Sequence, residues 1–227
     1  MREPGRRVCQ VQELGRLSYA AALELQRRLV EQRRQGLIPD QFLLLEHPHV
    51  ITLGRNGRPE HLLAPLEILR RAGIEFYHTE RGGDITYHGP GQLIGYPILN
   101  LREWRQDVVA YVRALEQVII EALGKFGLRA ERVAGRTGVW VDGRKIAAIG
   151  VRISRWITSH GFALNVSTDL SYFGYIVPCG LSAPVTSMAE LGVRATLGEV
   201  MAALVPSFGD VFECEMIMTA VPGEQQT

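Results

Sequence analysis

The cysteine at position 179 is the residue in this sequence best suited to act as a nucleophile. It lies in the segment Val177-Pro178-Cys179-Gly180-Leu181. Proline cannot donate to a sheet, and glycine permits backbone angles that other residues resist, so the segment predicts a turn that holds a thiol. A turn can expose sulfur beside backbone N–H groups, as a thioester-forming nucleophile requires. The residues alone leave open a small buried apolar side chain, the commonest state of a free cysteine.

A lysine at position 145 is the second candidate for chemistry. Of the 25 Lys and Arg residues only Lys125 and Lys145 are lysines. Arginine stays charged, whereas lysine can lose its proton. Lys145 begins an apolar run, where loss of hydration would favour the neutral amine. It could then take a proton from a thiol, or its charge could hold a nearby thiolate. The alternative is a solvent-facing lysine at the end of a hairpin.

A glycine-rich segment at 81–93 is the most specific motif in the chain. Two glycine turns bracket a short predicted strand that ends at His88. Glycines let a ligand approach the backbone closely, so the segment predicts a binding groove. It matches neither the phosphate loop nor the dinucleotide fingerprint. A hairpin with glycine corners is the purely structural alternative.

Four segments together resemble the octanoyltransferases that begin lipoyl cofactor assembly. The glycine-rich segment fits the pattern R-G-G-x-x-T-x-H-x-x-x-Q of that family. The other three are Gly143-Arg144-Lys145-Ile146-Ala147 through Gly150, Ser159-His160-Gly161-Phe162-Ala163-Leu164-Asn165, and Pro178-Cys179-Gly180-Leu181. They occur in the family's order and spacing across residues 40–190, which covers most of the chain.

The resemblance implies a role for each matching residue. Cys179 corresponds to the acyl-thioester nucleophile, and Lys145 to the lysine that lowers the pKa of that thiol and serves as acid and base. Ala148 stands where relatives often have serine. The implied substrate-binding residues are Arg81, Gly82, Gly83, Asp84, Ile85, Thr86, Tyr87, His88, Ala148, Ile149, Gly150, Gly161, Phe162 and Ala163.

The resemblance also implies a fold and a reaction. The expected fold is α+β: a mixed, largely antiparallel sheet flanked by helices, similar to the catalytic domain of biotin and lipoate protein ligases. The expected reaction moves an octanoyl group from octanoyl-acyl carrier protein to a lysine of lipoyl domains through a Cys179 thioester, with no cofactor. The implied acceptors are the lipoyl domains of 2-oxoacid dehydrogenase complexes and the glycine cleavage H protein.

Two other functions are also compatible with the sequence. An ATP-dependent lipoate or biotin ligase could use the same scaffold, although it would not need Cys179. A non-catalytic module that binds acyl carriers or lipoyl domains could keep the groove without the chemistry. The presence of both Cys179 and Lys145 favours the transferase over either alternative.

Composition limits the remaining function classes. The chain has 227 residues and a net charge of +1, which does not favour nucleic-acid binding. No apolar run is long enough to cross a membrane. Three cysteines without a C-x-x-C pair predict a reducing, cytoplasmic setting. His47-Pro48-His49 lacks a third ligand nearby, so no metal is expected. We predict a single catalytic domain over 1–227, with its core at about 10–219 and frayed termini.

Local patterns predict the elements that must position these residues. Ser18, Asp107 and the Thr196/Glu199 capping box predict helix starts. The predicted helices cover 18–35, 66–71, 107–127 and 196–205. The predicted strands cover 40–46, 50–53, 74–79, 137–141, 145–153, 156–166 and 213–219, with a hairpin turn at Asp142-Gly143 and a loop at 168–181. Arg27, Arg28, Arg33 and Arg34 predict a solvated basic face on the first helix, which could dock an acidic acyl carrier protein.

Overall fold

The computed structural model describes residues 6–177 and 184–219. The strands in these residues are β1 (Arg7–Arg16), β2 (Asp40–Glu46), β3 (Val50–Leu53), β4 (Glu75–His78), β5 (Ile85–His88), β6 (Gln92–Ile98), β7 (Glu131–Val133), β8 (Arg136–Val141), β9 (Arg144–Ser154), β10 (Ile157–Asn165) and β11 (Cys214–Met218). The helices are α1 (Tyr19–Arg34), α2 (Leu66–Arg71), α3 (Val108–Gly124) and α4 (Leu197–Phe212). None of these helices is long and apolar enough to cross a lipid bilayer.

The strands form two sheets. The larger has the order β11-β1-β2-β6-β10-β9-β8-β7, and the smaller has the order β4-β3-β5. Pairing is antiparallel except where β1 meets β11 and β2, and where β3 meets β4. The predicted fold class, a mixed and largely antiparallel sheet flanked by helices, is confirmed, and the smaller sheet is an addition to it.

Helices cover both faces of the larger sheet. On β2, Phe42 and Leu44 belong to the core beneath α3 and α4, whereas Leu43 and Leu45 belong to the core beneath α1. Alternate strand residues point to opposite faces, so this run is buried on both sides. The smaller sheet has a separate core that includes Tyr87.

The predicted helix starts are confirmed, but two helix predictions were wrong. Ser18, Asp107 and Thr196 cap α1, α3 and α4 with their side chains. α4 continues past Pro206 to Phe212, beyond the predicted end near 205. Phe212 stacks on Phe208 with ring centroids 4.4 Å apart in the core. Burial of these rings offsets the hydrogen bond that proline removes.

The second wrong prediction concerns the arginine face of α1. Arg33 is buried, and its guanidinium pairs with the carboxylates of Asp40 and Glu103 at 2.8 and 2.5 Å. Asp40 is buried on β2 and needs a cation beside it. The helix therefore turns this arginine inward, and the basic face is smaller than predicted.

The predicted hairpin between β8 and β9 is confirmed and carries an irregularity. Asp142 and Gly143 both have positive φ, 48° and 72°, as a tight two-residue turn requires. Val139 pairs with Ala147 but Trp140 pairs with Lys145, so Ile146 is an extra residue in β9. Such a bulge changes the face to which the residues before it point.

Three further features differ from the predictions. Strand β1 was not predicted; it pairs with β2 and with the distant β11. In the predicted loop at 168–181, Leu170–Tyr175 forms a 3₁₀ helix. The end of that predicted loop, including Cys179, lies outside the described residues.

Candidate active site

A cavity of about 370 Å³ contains most of the residues singled out from the sequence. It lies between strands β9 and β10 of the larger sheet and strand β5 of the smaller one. The predicted site residues on its lining are Arg81, Gly83, Asp84, Ile85, Thr86, His88, Lys145, Ala148, Ile149, Gly150, Gly161, Phe162 and Ala163. The lining also includes Tyr19, Asn56, Tyr96, Gly135, Arg136, Thr137 and His160.

Small residues form the floor of this cavity. Ala148 pairs with Ala163, and Gly150 pairs with Gly161, across β9 and β10. All four residues line the cavity, and their small size forms a shallow trough. The side chains missing at Gly150 and Gly161 make room for Arg81 Cδ and for the Gly95 carbonyl oxygen, which a Cβ would meet at 3.1 and 2.1 Å. Ile149, between Ala148 and Gly150 on β9, lines the cavity and also packs against the main core.

Arg81 joins the smaller sheet to the site. Its guanidinium donates to the Thr52 carbonyl at 2.7 Å, to Thr52 Oγ1 at 2.9 Å and to the Gly82 carbonyl at 3.0 Å. A Cβ on Gly150 would stand 2.9 Å from the Gly82 oxygen and 3.1 Å from Arg81 Cδ. Glycine at position 150 therefore leaves the room that Arg81 occupies.

Two predicted binding residues lie off the cavity lining. Gly82 donates its N–H to the Val151 carbonyl at 2.8 Å. Tyr87 is buried in the core of the smaller sheet, where its ring stacks on Tyr172 and its hydroxyl lies 2.7 Å from His49 Nδ1. Thr86 and His88, its neighbours on β5, reach the cavity because alternate strand residues face opposite sides.

The bulge in β9 aims Lys145 at the cavity. Lys145 Nζ lies 4.9 Å from the centroid of the Trp140 ring, within range of a cation–π contact. Arg136 also lies over this ring, at 5.7 Å. A Cβ on Gly138 would come within 3.3 Å of Lys145 Cε, so this glycine is needed where the lysine side chain passes. Sequence reasoning missed Trp140, because only the shifted pairing brings it beside Lys145.

The main chain of Lys145 holds the segment that follows Cys179. The Lys145 N–H donates to the Pro184 carbonyl at 2.9 Å, and the Thr186 N–H donates to the Lys145 carbonyl at 2.9 Å. Before Cys179, the Val177 N–H donates to the His61 carbonyl at 2.8 Å. His61 Nδ1 in turn lies 2.5 Å from the Asp84 carboxylate at the cavity. Both ends of the undescribed segment are therefore anchored beside the cavity.

Buried histidines surround the other end of the cavity. Burial lowers the pKa of His88 and of His160 to about 3, with nearby cationic and histidine side chains adding to the effect. Burial also lowers the pKa of His47 to about 4. His47 lies behind the cavity, where its Nδ1 donates to the Leu17 carbonyl and its Nε2 accepts from the Tyr96 hydroxyl. The rings are thus neutral at pH 7. Sequence reasoning left the role of His160 undecided.

The other two cysteines lie far from Lys145. Cys9 and Cys214 are buried on β1 and β11. β1 is four strand positions from β9 in the larger sheet, a separation of about 19 Å at the usual strand spacing. No group of three potential metal-binding His, Cys, Asp or Glu side chains occurs in the described part of the chain.

Comparison with known proteins identifies the family. Residues 18–209 match the lipoyl protein ligase A/B catalytic domain. An octanoyltransferase from Solibacter usitatus is 65% identical over 93% of this chain and 96% of its own length. The chain belongs to the octanoyltransferases of the lipoyl protein ligase A/B family. It is therefore an acyltransferase enzyme of lipoate metabolism.

Solved structures support the fold of this octanoyltransferase. A bi-partite lipoate protein ligase from Thermoplasma acidophilum has a TM-score of 0.77 at 16% identity, covering 94% of this chain and 87% of its own. A biotin protein ligase from Aquifex aeolicus has a TM-score of 0.55 at 15% identity, covering 90% and 70%. At these identities the likeness concerns the fold alone.

Proposed function

We propose that this octanoyltransferase moves its acyl group through a thioester on Cys179, with Lys145 as the acid and base. The donor in this proposal is octanoyl-acyl carrier protein, and the acceptor is a lysine of a lipoyl domain. The observation that carries the proposal is the pair of hydrogen bonds between the Lys145 main chain and Pro184 and Thr186, directly after the Cys179 segment.

Chain length supports the pairing of Cys179 with Lys145. Cys179 follows the anchored Val177 by two residues, which span at most about 7 Å, and precedes Pro184 by five, which span at most about 18 Å. Phe173 and Val185, on either side of this segment, line a recess of about 20 Å³ together with Lys145. The other two cysteines are buried at the far side of the sheet, which leaves Cys179 as the candidate nucleophile.

The reaction has two halves that balance without another reactant. Lys145 takes the thiol proton of Cys179, and the thiolate attacks the carbonyl carbon of the carrier thioester. The carrier thiolate leaves and takes that proton from Lys145. In the second half, the acceptor amine attacks the acyl-enzyme, an amide bond forms, and the C–S bond to Cys179 breaks. Lys145 receives the proton lost by the amine and returns a proton to the Cys179 sulfur.

The trough of small residues is the proposed site of the octanoyl chain. Ala148, Gly150, Gly161 and Ala163 extend along the sheet from Lys145 toward His160. A flexible chain of methylene groups can lie along such a surface and bury its apolar area. His160 is neutral at pH 7, so no charged imidazole faces the octanoyl chain at the far end of the trough.

An ATP-dependent ligase is the competing reaction on this fold. The ligases of similar structure share only the fold with this chain. A ligase would activate a free acid and would not require an acyl group on Cys179. A non-catalytic binding module would form no acyl-enzyme at all.

The test is acyl transfer to Cys179 in the absence of ATP. The full chain is incubated with octanoyl-acyl carrier protein, and intact-mass spectrometry measures an octanoyl adduct. We expect the adduct on the unmodified protein and on the Cys9→Ala control, and none on Cys179→Ser or Cys179→Ala. An adduct on Cys179→Ala, or turnover that requires ATP and free octanoate, would refute the proposal.

The acceptors and the location belong to the same proposal. We infer that the acceptors are lipoyl domains of 2-oxoacid dehydrogenase complexes and the glycine cleavage H protein. The proposed location is the cytoplasm, because that compartment keeps a reactive thiol in the reduced state. Transfer of octanoyl to a purified lipoyl domain, but not to its lysine-to-alanine variant, tests the acceptor.

A further inference from the structure

A chain of buried amide groups links the cavity to the segment after Cys179. Asn165 Nδ2 donates to the Thr186 carbonyl at 3.0 Å. Gln92 Nε2 donates to Asn165 Oδ1 at 2.9 Å, and Gln92 Oε1 lies 2.8 Å from His88 Nδ1. Gln92, Asn165 and His88 are 2%, 4% and 7% exposed, so solvent contributes little to their hydrogen bonding.

Two backbone carbonyl groups determine which atom donates and which accepts in each of these side-chain hydrogen bonds. The Thr186 carbonyl can only accept, so Asn165 must present its NH₂ group there and its oxygen to Gln92. Gln92 must then present its NH₂ group to Asn165. The Tyr87 carbonyl, 3.3 Å from Gln92 Nε2, requires the same orientation independently.

The orientation of Gln92 decides which nitrogen of His88 carries the proton. Gln92 Oε1 can only accept, so His88 Nδ1 must donate to it. A neutral imidazole carries one proton, which leaves Nε2 as an acceptor. His88 lines the cavity, so Nε2 is the nitrogen that can meet a bound N–H or O–H group.

We propose that Gln92 and Asn165 are positioning residues that dock the Pro184–Thr186 segment beside Lys145 and hold the proton of His88 on Nδ1. Their effect on catalysis rests on the proposed function, because the docked segment follows Cys179. Thr186 also donates to the Lys145 carbonyl, so the amide chain stabilises the same contact that connects this segment to the lysine.

Two nearly isosteric variants test the docking part of the proposal, and the tautomer of His88 in the unmodified protein tests the other part. Asn165→Asp places an acceptor against the Thr186 carbonyl but still accepts from Gln92, so it releases the segment and leaves His88 unchanged. Gln92→Glu still accepts from His88 Nδ1 but cannot donate to Asn165 or to the Tyr87 carbonyl. Gln41→Glu is the matched control. Gln41 is a buried amide on β2 that contacts Gln10, Gln12 and the Pro39 carbonyl.

Two measurements on the full chain require no substrate. Two-bond ¹⁵N–¹H imidazole spectra, assigned with a His88→Gln variant, report the tautomer of His88. We expect a protonated Nδ1 and an unprotonated Nε2 in the unmodified protein and in Asn165→Asp. Amide hydrogen exchange at Thr186 should accelerate in Asn165→Asp and stay unchanged in Gln41→Glu. A proton on Nε2 of His88, or unchanged exchange at Thr186 in Asn165→Asp, would overturn the proposal.

The catalytic measurement separates this inference from the proposed function. We expect kcat for octanoyl transfer to fall about 10²-fold in Asn165→Asp with little change in KM, as for a misplaced reacting group. Gln41→Glu should keep the rate of the unmodified protein. If Asn165→Asp also keeps that rate, the positioning role is wrong. If the unmodified protein transfers no octanoyl, the proposed function fails, while the spectra and exchange rates still test the docking.

Discussion

The side chain of Lys145 lies between the aromatic ring of Trp140 and Gly138, which has no side chain. Its Nζ atom lies over the Trp140 ring, and the hydrocarbon stem passes over Gly138. Gly138 is held from behind, because its N–H donates to the buried carboxylate of Glu116 at 3.0 Å. The lysine is thus fixed by packing and by strand pairing.

Lys145→Arg should lower the rate of octanoyl transfer by about 10²- to 10⁴-fold, the usual contribution of a general acid and base. Arginine keeps the charge but does not release a proton. Lys125→Arg is the control, because this lysine is exposed and donates to the Ala203 carbonyl. Single-turnover transfer from octanoyl-acyl carrier protein measures both. A near-normal rate in Lys145→Arg would indicate a purely electrostatic role.

Gly138→Ala should destabilise the protein and reduce transfer together. The new Cβ would stand 2.6 Å from the Ala147 carbonyl oxygen, with a backbone φ of +123°. Gly127→Ala is the control, since its φ is +77° but no atom lies within 4 Å. Urea unfolding should show a loss of about 1–2 kcal/mol for the control, the cost of the backbone conformation alone. Gly138→Ala should lose more, and an equal loss in both variants would contradict the clash.

At the scale of elements, the site depends on how the smaller sheet is attached to the larger one. Arg81 bonds Thr52 on β3, and the neighbouring Gly82 bonds Val151 on β9. The cavity lies between these two attachments. The smaller sheet therefore forms one wall of the cavity, and loosening it would open the candidate active site.

Arg81→Lys should weaken that attachment although the charge is kept. A lysine cannot reproduce the forked contacts to the Thr52 carbonyl and hydroxyl and to the Gly82 carbonyl. We expect a loss of about 2 kcal/mol in the free energy of unfolding, typical of lost hydrogen bonds from a charged group, and slower transfer. Arg152→Lys is the matched control, because Arg152 pairs with the exposed Glu80. Equal stability in the two variants would show that Arg81 does not attach the sheet.

At the scale of the whole molecule, three neutral imidazoles are buried around one end of the cavity. The pKa of His47 is about 4, and those of His88 and His160 are about 3. An unfolded histidine has a pKa of about 6.5. As the pH falls below that value, the unfolded chain binds protons that the folded protein does not.

The free energy of unfolding should therefore fall as the pH decreases from about 6.5 toward 5, by up to about 1.4 kcal/mol per pH unit for each such histidine. Urea unfolding at several pH values measures the slope. His160→Gln should reduce this slope by the equivalent of up to one bound proton. A stability that does not depend on pH in this range would mean that these rings are protonated in the folded state.

Local sequence patterns were sufficient to predict the features that depend on neighbouring residues. The bounds of β2 and β3, the caps of α1, α3 and α4, and the Asp142-Gly143 turn were predicted and are confirmed. Each depends on contacts within a few positions, such as a side chain that caps a helix start. The motifs likewise predicted the family, because they are read directly from the order of residues.

Contacts between distant residues became known only from the three-dimensional fold. Gln92 and Asn165 are 73 positions apart, and Arg81 and Thr52 are 29 apart. The bulge at Ile146 cannot be read from β9 alone, since it exists only relative to Trp140 on the paired strand. Likewise, the local sequence around a single histidine does not predict whether its imidazole ring will be buried. Burial and strand register arise from packing between separate elements, and no local pattern encodes them.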